Sequence, residues 1–329
     1  MLTKPKPPTV TAVVVHYSAS WGSILDLADS VLSQVGSFKT SVVIVRNGQM
    51  DAPHAGGDLG DSISVVSTGV NLGYAGGLEL ARRMFPADYF WVLQDDVVPD
   101  QGCLESLHNA FLDGGEQTPL AVASPVEEEP DSSDPRLRFG VFDSVSGERL
   151  GMDTVDCKEW LPRFKSPNHN LFGFVYLSGA LILGQALEDI GGFDPGYWPL
   201  MLVDADNCFS LQRKGYYVAR VDSARILHPR RTGREDSRPG WKPLAYSLNL
   251  RRLQSKHFPT DAEESINDRV VLPPDLSAAV LDSMSTFLET YTDELLALDR
   301  ARRRRPRAVR VLRRVKREQG KALNPGKDR

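Results

Sequence analysis

Between residues 10 and 93 short runs dense in β-branched residues alternate with stretches of helical periodicity. Val10 to Tyr17 (VTAVVVHY) is of strand length, and its valines favour a pleated, fully buried setting over a helix. From Ile24, the apolar positions Ile24, Leu27, Ala28, Val31, Leu32 and Val35 fall on one helical face, and Gly36 supplies a stop. Val42 to Val45 and Ile63 to Val66 repeat the strand pattern, the first closing on the turn pair Asn47-Gly48. The second leads into the loop NLGYAGG (Asn71 to Gly77) and a helix to about Met84, and Tyr89 to Leu93 is a fourth strand. Strands and helices alternating at this spacing predict parallel βαβ units covered on both faces, with ligands bound beyond the carboxyl ends of the strands.

Farther on, residues 125 to 167 are rich in acid, proline and serine and read as loops with a small hairpin. Apolar character returns at Tyr176 to Leu183, followed by a short helix to Ile190 and the turn Gly191-Gly192. A helix from about Asp204 to Lys214 is closed by Gly215, and Val218 to Leu227 is another strand. Pro273-Pro274 opens a long helix with Leu276, Val280, Met284, Phe287, Leu288, Tyr291, Leu295 and Leu298 on one face. These readings divide the 329 residues into an α/β domain over 1–232, a connecting region over 233–274, and an amphipathic helix with a basic tail over 275–329.

Composition narrows the class. With 41% hydrophobic and 25% charged residues the chain is an ordinary globular sequence. Cys103, Cys157 and Cys208 form no CxxC pair, which points to a reducing, cytoplasmic setting rather than a disulfide framework or structural zinc. No signal peptide is expected in MLTKPKPPTV, and no window reaches the roughly 20 apolar residues of a membrane span. The net charge of −4 conceals an asymmetry: residues 300–329 carry +12 and the preceding chain −16. The tail fits a basic helix on an anionic membrane, a phosphate-contacting segment or a solvated extension, with nucleic acid the least favoured of the three.

Four groups of residues could carry chemistry. Gln94-Asp95-Asp96 ends a buried strand, where paired carboxylates suit Mg²⁺ or Mn²⁺ shared with phosphate oxygens, or simply form an acidic turn. In Asn71 to Gly77, three glycines before a helix allow close backbone approach to a phosphate or sugar, but neither GxGxxG nor P-loop spacing is met. Asp204 and Asp206 open a predicted helix, where capping and the macrodipole favour an acid in any case; about 200° apart if both lie inside it, they cannot both face one pocket, and the functional reading makes one a general base and the other a cap. His228, in ILHP at a strand end, is a structural histidine or a further ligand of the same cation as Asp96.

Taken in order, NLGYAGG, WVLQDDVVP, SGALILGQALEDIGGFDPGYW, VDADNCFSLQRKGYYV and ARILHP resemble the inverting family 2 glycosyltransferases of the GT-A fold, notably the bacterial rhamnosyl- and galactofuranosyltransferase-like members. The resemblance spans roughly residues 10 to 230 and implies a Rossmann-like, mostly parallel sheet flanked by helices. It implies that Asp96, with Asp95 beside it and His228 as a third ligand, holds Mn²⁺ or Mg²⁺, while Gln94 stands where an aspartate is frequent. It selects Asp204 as the catalytic base, with Asp206 the alternative. Asn47, Asn71, Gly73, Gly76 and Gln94 would line the donor side; Gly179, Asp194 and Trp198 would line the acceptor side. Arg46 departs from the family's usual aspartate, so that position does not choose between uridine and deoxythymidine. The implied reaction moves a sugar from a nucleotide-diphosphate donor, dTDP-rhamnose or a UDP-sugar such as UDP-galactofuranose, to a hydroxyl of a lipid-linked or cell-envelope glycan. A surface or virion protein is the alternative acceptor, and a catalytically silent sugar-nucleotide-binding scaffold the alternative role. Cysteine usage and the lack of a signal peptide or span point to the cytoplasm, with a place at the inner face of the membrane if the basic tail binds it.

Overall fold

The computed structural model describes residues 6–17, 19–48, 60–68, 71–112, 119–128, 139–143, 149–150, 171–228 and 241–258, all within the compact unit Met1–Ser285. In chain order the elements are β1 (Thr9–His16), α1 (Trp21–Leu32), β2 (Lys39–Arg46), β3 (Ile63–Ser67), α2 (Gly73–Met84), β4 (Tyr89–Gln94), β5 (Val98–Pro99) and α3 (Cys103–Leu112). They continue with β6 (Leu120–Glu128), β7 (Phe139–Asp143), β8 (Arg149–Leu150), β9 (Leu171–Val175), β10 (Ala180–Leu183), α4 (Gly184–Asp189), α5 (Val203–Arg213), β11 (Tyr217–Leu227) and α6 (Trp241–His257).

Eight strands form one sheet in the order β3-β2-β1-β4-β10-β6-β11-β5. The predicted parallel units are present: β3, β2, β1 and β4 pair in parallel, as do β6 and β11, while β10 runs antiparallel between β4 and β6. A separate antiparallel sheet, β8-β7-β9, begins within the stretch read as loops with a small hairpin. The architecture is a GT-A-like α/β fold, as the resemblance implied.

Both sheet faces are covered, which is why the central strands read as continuous apolar runs. On one face Val13, Val15, Val43, Val45 and Val92 pack with Leu78 and Ala81 of α2 and Phe209 of α5. On the other, Val14, Ile44, Trp91 and Leu93 pack with Ile24, Leu27 and Val31 of α1 and Leu104 and Leu107 of α3. A side chain such as Leu104, with no exposed surface, contributes about 2–5 kcal/mol against truncation to alanine.

Two elements depart from the sequence reading. The loop NLGYAGG is mostly helix, because α2 starts at Gly73, and Gly77 lets it pack close to the sheet: a Cβ there would stand 2.9 Å from Val15 Cγ1. Helix α6 occupies the stretch read as a connecting region; it buries Asn249 and His257 alongside Leu253 and Phe258, so its sequence lacks a clean apolar stripe. The helix read from Pro273 onward, Cys157 and the basic tail lie outside the described residues. Among the described residues no helix is long and apolar enough to cross a membrane.

Candidate active site

The carboxyl ends of β1, β2, β4, β6 and β11 share one edge of the sheet, and Asn47, Gln94, Asp95, Asp96 and His228 stand at the ends of these strands. Beyond β4 the chain turns at Asp95-Asp96 and crosses to β11, where Val98 pairs with Leu227 and Pro99 with Ile226. That crossing brings Asp96 to His228: Oδ1 and Nε2 are 3.2 Å apart. The other imidazole nitrogen, Nδ1, is 2.5 Å from Glu127 Oε1 at the end of β6. Burial would lower the His228 pKa, but the bonds to Asp96 and Glu127 outweigh it and raise the value to about 9. Glu127 was not singled out from sequence, where it is one of three adjacent glutamates; its place two strands from β4 has no local signal.

Asp95 does different work from its neighbour. Its Oδ2 accepts the backbone N–H of Tyr17 (3.1 Å) and of Ala19 (3.0 Å), fixing the chain between β1 and α1. Asp96 and His228 thus meet, while Asp95 is turned to backbone donors. No group of three His, Cys, Asp or Glu side chains suited to a metal ion occurs among the described residues. The Asp96–His228 pair fits an ion that takes two protein ligands and completes its shell with phosphate oxygens and water, and Glu127 orients the imidazole as a carboxylate does behind many metal-bound histidines.

Three of the residues that the resemblance places on the donor side, Asn47, Asn71 and Gly73, form one hydrogen-bonded unit. Asn47 Oδ1 accepts Leu72 N (2.7 Å), and its Nδ2 donates to Asn71 Oδ1 (3.1 Å) and to the Gly73 carbonyl (3.1 Å). Asn71 Oδ1 also accepts Gly73 N (2.8 Å), and its carbonyl accepts Trp198 Nε1 (3.2 Å). Asn47, Asn71, Gly73 and Trp198 are therefore one scaffold joining the ends of β2 and α2 to the loop before α5. Gly73 has φ +72°, and a Cβ there would sit 2.7 Å from Trp198 Cδ1, so glycine is required on both counts. Gly76 is buried in the first turns of α2, and Gln94, the last residue of β4, is half-buried. Arg46, at the end of β2, stacks its guanidinium 5.8 Å from the Trp21 ring centroid, and His16 lies 5.8 Å from the same ring.

Gly179 (φ +76°) turns the chain into β10; its N–H donates to Val92 O and its carbonyl accepts Trp91 Nε1. Asp194 has no exposed side-chain surface: Arg252 Nη2 holds both its oxygens at 2.9–3.0 Å, and Lys256 Nζ lies 3.3 Å away. Its oxygens are turned to these cations and it offers no surface.

Helix α5 begins after two non-glycine residues in left-handed conformation, Met201 (φ 81°) and Leu202 (φ 63°). Each costs on the order of 1–3 kcal/mol and persists only where surrounding contacts hold it. Asp204, one residue into the helix, retains exposed surface and accepts Ala205 N at 3.0 Å. Asp206 points inward, as 100° per residue requires. It accepts Tyr197 Oη (3.0 Å) and His257 Nε2 (2.7 Å), and Lys256 Nζ stands 2.6 Å away. Burial alone would raise the Asp206 pKa; Lys256 and His257 hold it below the usual carboxylate range. Of the two acids, Asp204 is the one with surface to offer.

Tyr74, the second residue of α2, joins these parts. Its N–H donates to Pro199 O at 2.7 Å, and its hydroxyl is buried without a hydrogen-bond partner among the described residues. Burial, and then the charges of Asp204, Asp96 and Asp95, push its pKa above the ordinary phenol value. The same hydroxyl therefore senses the base candidate and both carboxylates of the β4 turn.

Residues 11–169 match the model of the family described as Glycosyl transferase family 2, a little under half of the chain. Asp204 and His228 lie beyond the matched stretch. Among curated proteins none matches the chain. The structure is similar to that of GalNAc-T7 with UDP, GalNAc and Mn²⁺, at 14% identity and a TM-score of 0.54, over 77% of this chain and 48% of that one. The chain thus spans about half the length of that protein, and at this identity the likeness speaks to the fold. S. aureus TarS, residues 1–349, aligns at 10% identity with a TM-score of 0.49, over 78% of this chain and 67% of that one. The family match and the fold together support a glycosyltransferase of the GT-A type.

Proposed function

We propose that the protein is an inverting glycosyltransferase that moves a sugar from dTDP-rhamnose or a UDP-sugar such as UDP-galactofuranose to a hydroxyl of a lipid-linked or cell-envelope glycan. The carrying observation is the meeting of Asp96 and His228 at the carboxyl edge of a sheet whose first half matches a glycosyltransferase family. In this reading Asp96 and His228 hold Mn²⁺ or Mg²⁺, which when bound neutralises the charge developing on the diphosphate leaving group. Asp204 removes the proton of the acceptor hydroxyl, a role that requires the exposed surface Asp206 lacks. Tyr74 donates its hydroxyl, unpartnered among the described residues, to the bound donor, and the Asn47–Asn71–Gly73 unit shapes the backbone against which that donor lies. Asp95 fixes the loop after β1, where Trp21 and Arg46 form the floor for the nucleobase. The acceptor approaches from the side of Trp198, and the basic segment 300–329 brings the domain to an anionic membrane surface at the cytoplasmic face.

Thermal shift with UDP, dTDP and GDP, each with and without Mn²⁺, tests the donor half of this reading. Stabilisation by one nucleotide that depends on Mn²⁺ is the expected result; ligand at 100 times its Kd adds about 2.7 kcal/mol. Indifference to all three nucleotides with Mn²⁺ present contradicts it.

A further inference from the structure

The segment carrying Asp204 is held on both sides by one helix that lies outside the family-matched stretch. Asn249, fully buried in α6, donates Nδ2 to the carbonyls of Leu200 (2.8 Å) and Met201 (3.1 Å). Those are the peptides that enter the left-handed corner at Met201 and Leu202. One and two turns further along α6, Arg252 and Lys256 grip Asp194, where the same loop begins. Lys256 and His257 then grip Asp206, two residues past Asp204. Tyr197 fills the space between, with Arg252 and Lys256 at 5.6 and 5.7 Å from its ring centroid and its hydroxyl on Asp206. The buried charges are thus paired within one network, yet a hydrophobic helix would cover the same face without desolvating two carboxylates. What the polar helix adds is directional hold on the corner and on the first turn of α5.

We propose that α6 is a positioning clamp for the general base: Asn249 fixes the backbone before Asp204 and Lys256 with His257 fixes it after, so that the Asp204 carboxylate is aimed by residues that touch no substrate. The inference rests on the assignment of Asp204 as the base. Misplacement of a reacting group by about 1 Å costs on the order of 100-fold in rate, so a loosened corner is felt in turnover before it is felt in donor affinity.

The test is made on the full chain with Asn249→Ala, Asp204→Asn and the double variant. Hydrogen exchange is read first: Asn249→Ala should speed exchange in 200–208 while leaving β1, β4 and α2 unchanged, and unchanged exchange in 200–208 overturns the clamp whichever donor the protein uses. Nucleoside diphosphate release is then followed with UDP-galactofuranose, dTDP-rhamnose, UDP-glucose, UDP-galactose and GDP-mannose. For the donor that is turned over, Asn249→Ala should lower kcat roughly 10- to 100-fold with KM unchanged, and should add nothing in the Asp204→Asn background. A loss that multiplies with Asp204→Asn, or one confined to KM, overturns the proposal. Wild-type release in Asp204→Asn removes the base assignment itself; normal release in Asn249→Ala beside a crippled Asp204→Asn removes only the clamp. Should Asn249→Ala not fold, His257→Leu reads the same quantity, and His257→Gln, which keeps a donor to Asp206, should restore most of the rate.

Discussion

Asp96 and His228 lie 3.2 Å apart although β10 and β6 separate their strands in the sheet. The contact exists because the chain, on leaving β4, crosses the sheet edge and adds the two-residue β5 alongside β11. If this pair binds the cation, Asp96→Asn should abolish Mn²⁺-dependent stabilisation by nucleotide. Glu127→Gln, which loosens only the orientation of the imidazole, should weaken Mn²⁺ by about 10- to 100-fold. Titration calorimetry of Mn²⁺ in the presence of UDP or dTDP measures both, and equal Mn²⁺ affinity in wild type and Asp96→Asn would rule the pair out as ligands.

The Asp206 network makes stability pH-dependent in one direction. The Asp206 pKa is depressed, so its contribution is present above the unfolded value near 3.9 and is lost as pH falls through the folded value. Burial depresses the His257 pKa against the pull of Asp206, so the unfolded chain takes up that proton first and stability also declines as pH drops below about 6.5. The thermal midpoint should therefore fall below pH 6, with a shallower fall between pH 7 and 5 in His257→Gln; above pH 7 the raised His228 pKa acts in the opposite sense, its contribution being lost as pH rises through about 9. Asp206→Asn leaves Lys256 partly unpaired in the interior and should cost about 3–5 kcal/mol at pH 7.

Two glycines with similar backbone angles separate steric from conformational cost. Gly73 (φ +72°) faces Trp198 and the Pro199 carbonyl, whereas Gly102 (φ +81°) has open space where a Cβ would stand. Urea denaturation should show Gly102→Ala losing about 1 kcal/mol and Gly73→Ala distinctly more. Equal losses would mean that the α2 start and the loop before α5 are not packed as described.

Tyr74→Phe removes a hydroxyl that has no hydrogen-bond partner among the described residues, so the fold should be as stable as wild type or slightly more so. Nucleoside diphosphate release should nonetheless fall, by roughly tenfold for one lost hydrogen bond of about 1.4 kcal/mol. Unchanged release would remove Tyr74 from the site.

The strands of the first half were legible because burial on both faces leaves valine and isoleucine in unbroken runs, as in β1 and β2. The divergence of Asp204 and Asp206 followed from helix geometry alone. What did not show was long-range pairing: β5 is two residues long, Glu127 hides in an acidic run, and α6 earns its place through Asn249, Lys256 and His257, whose partners lie some 50 residues earlier. Periodicity reports a face, and these residues act through single contacts that no local pattern encodes. The resemblance implied Asn47 and Asp194 as pocket residues, yet the fold turns their polar atoms to its own amides and cations.

The central claim is that Asp204 takes the acceptor proton while Asp96 and His228 hold the ion beside the leaving diphosphate. Nucleoside diphosphate release by wild type and Asp204→Asn, over the panel of donors with Mn²⁺ and with EDTA, tests it most directly. The account predicts release from one donor, abolished by EDTA and reduced about 10²- to 10⁴-fold in the variant while nucleotide affinity is retained. Release that survives EDTA, or that is as fast in Asp204→Asn as in wild type, would contradict it.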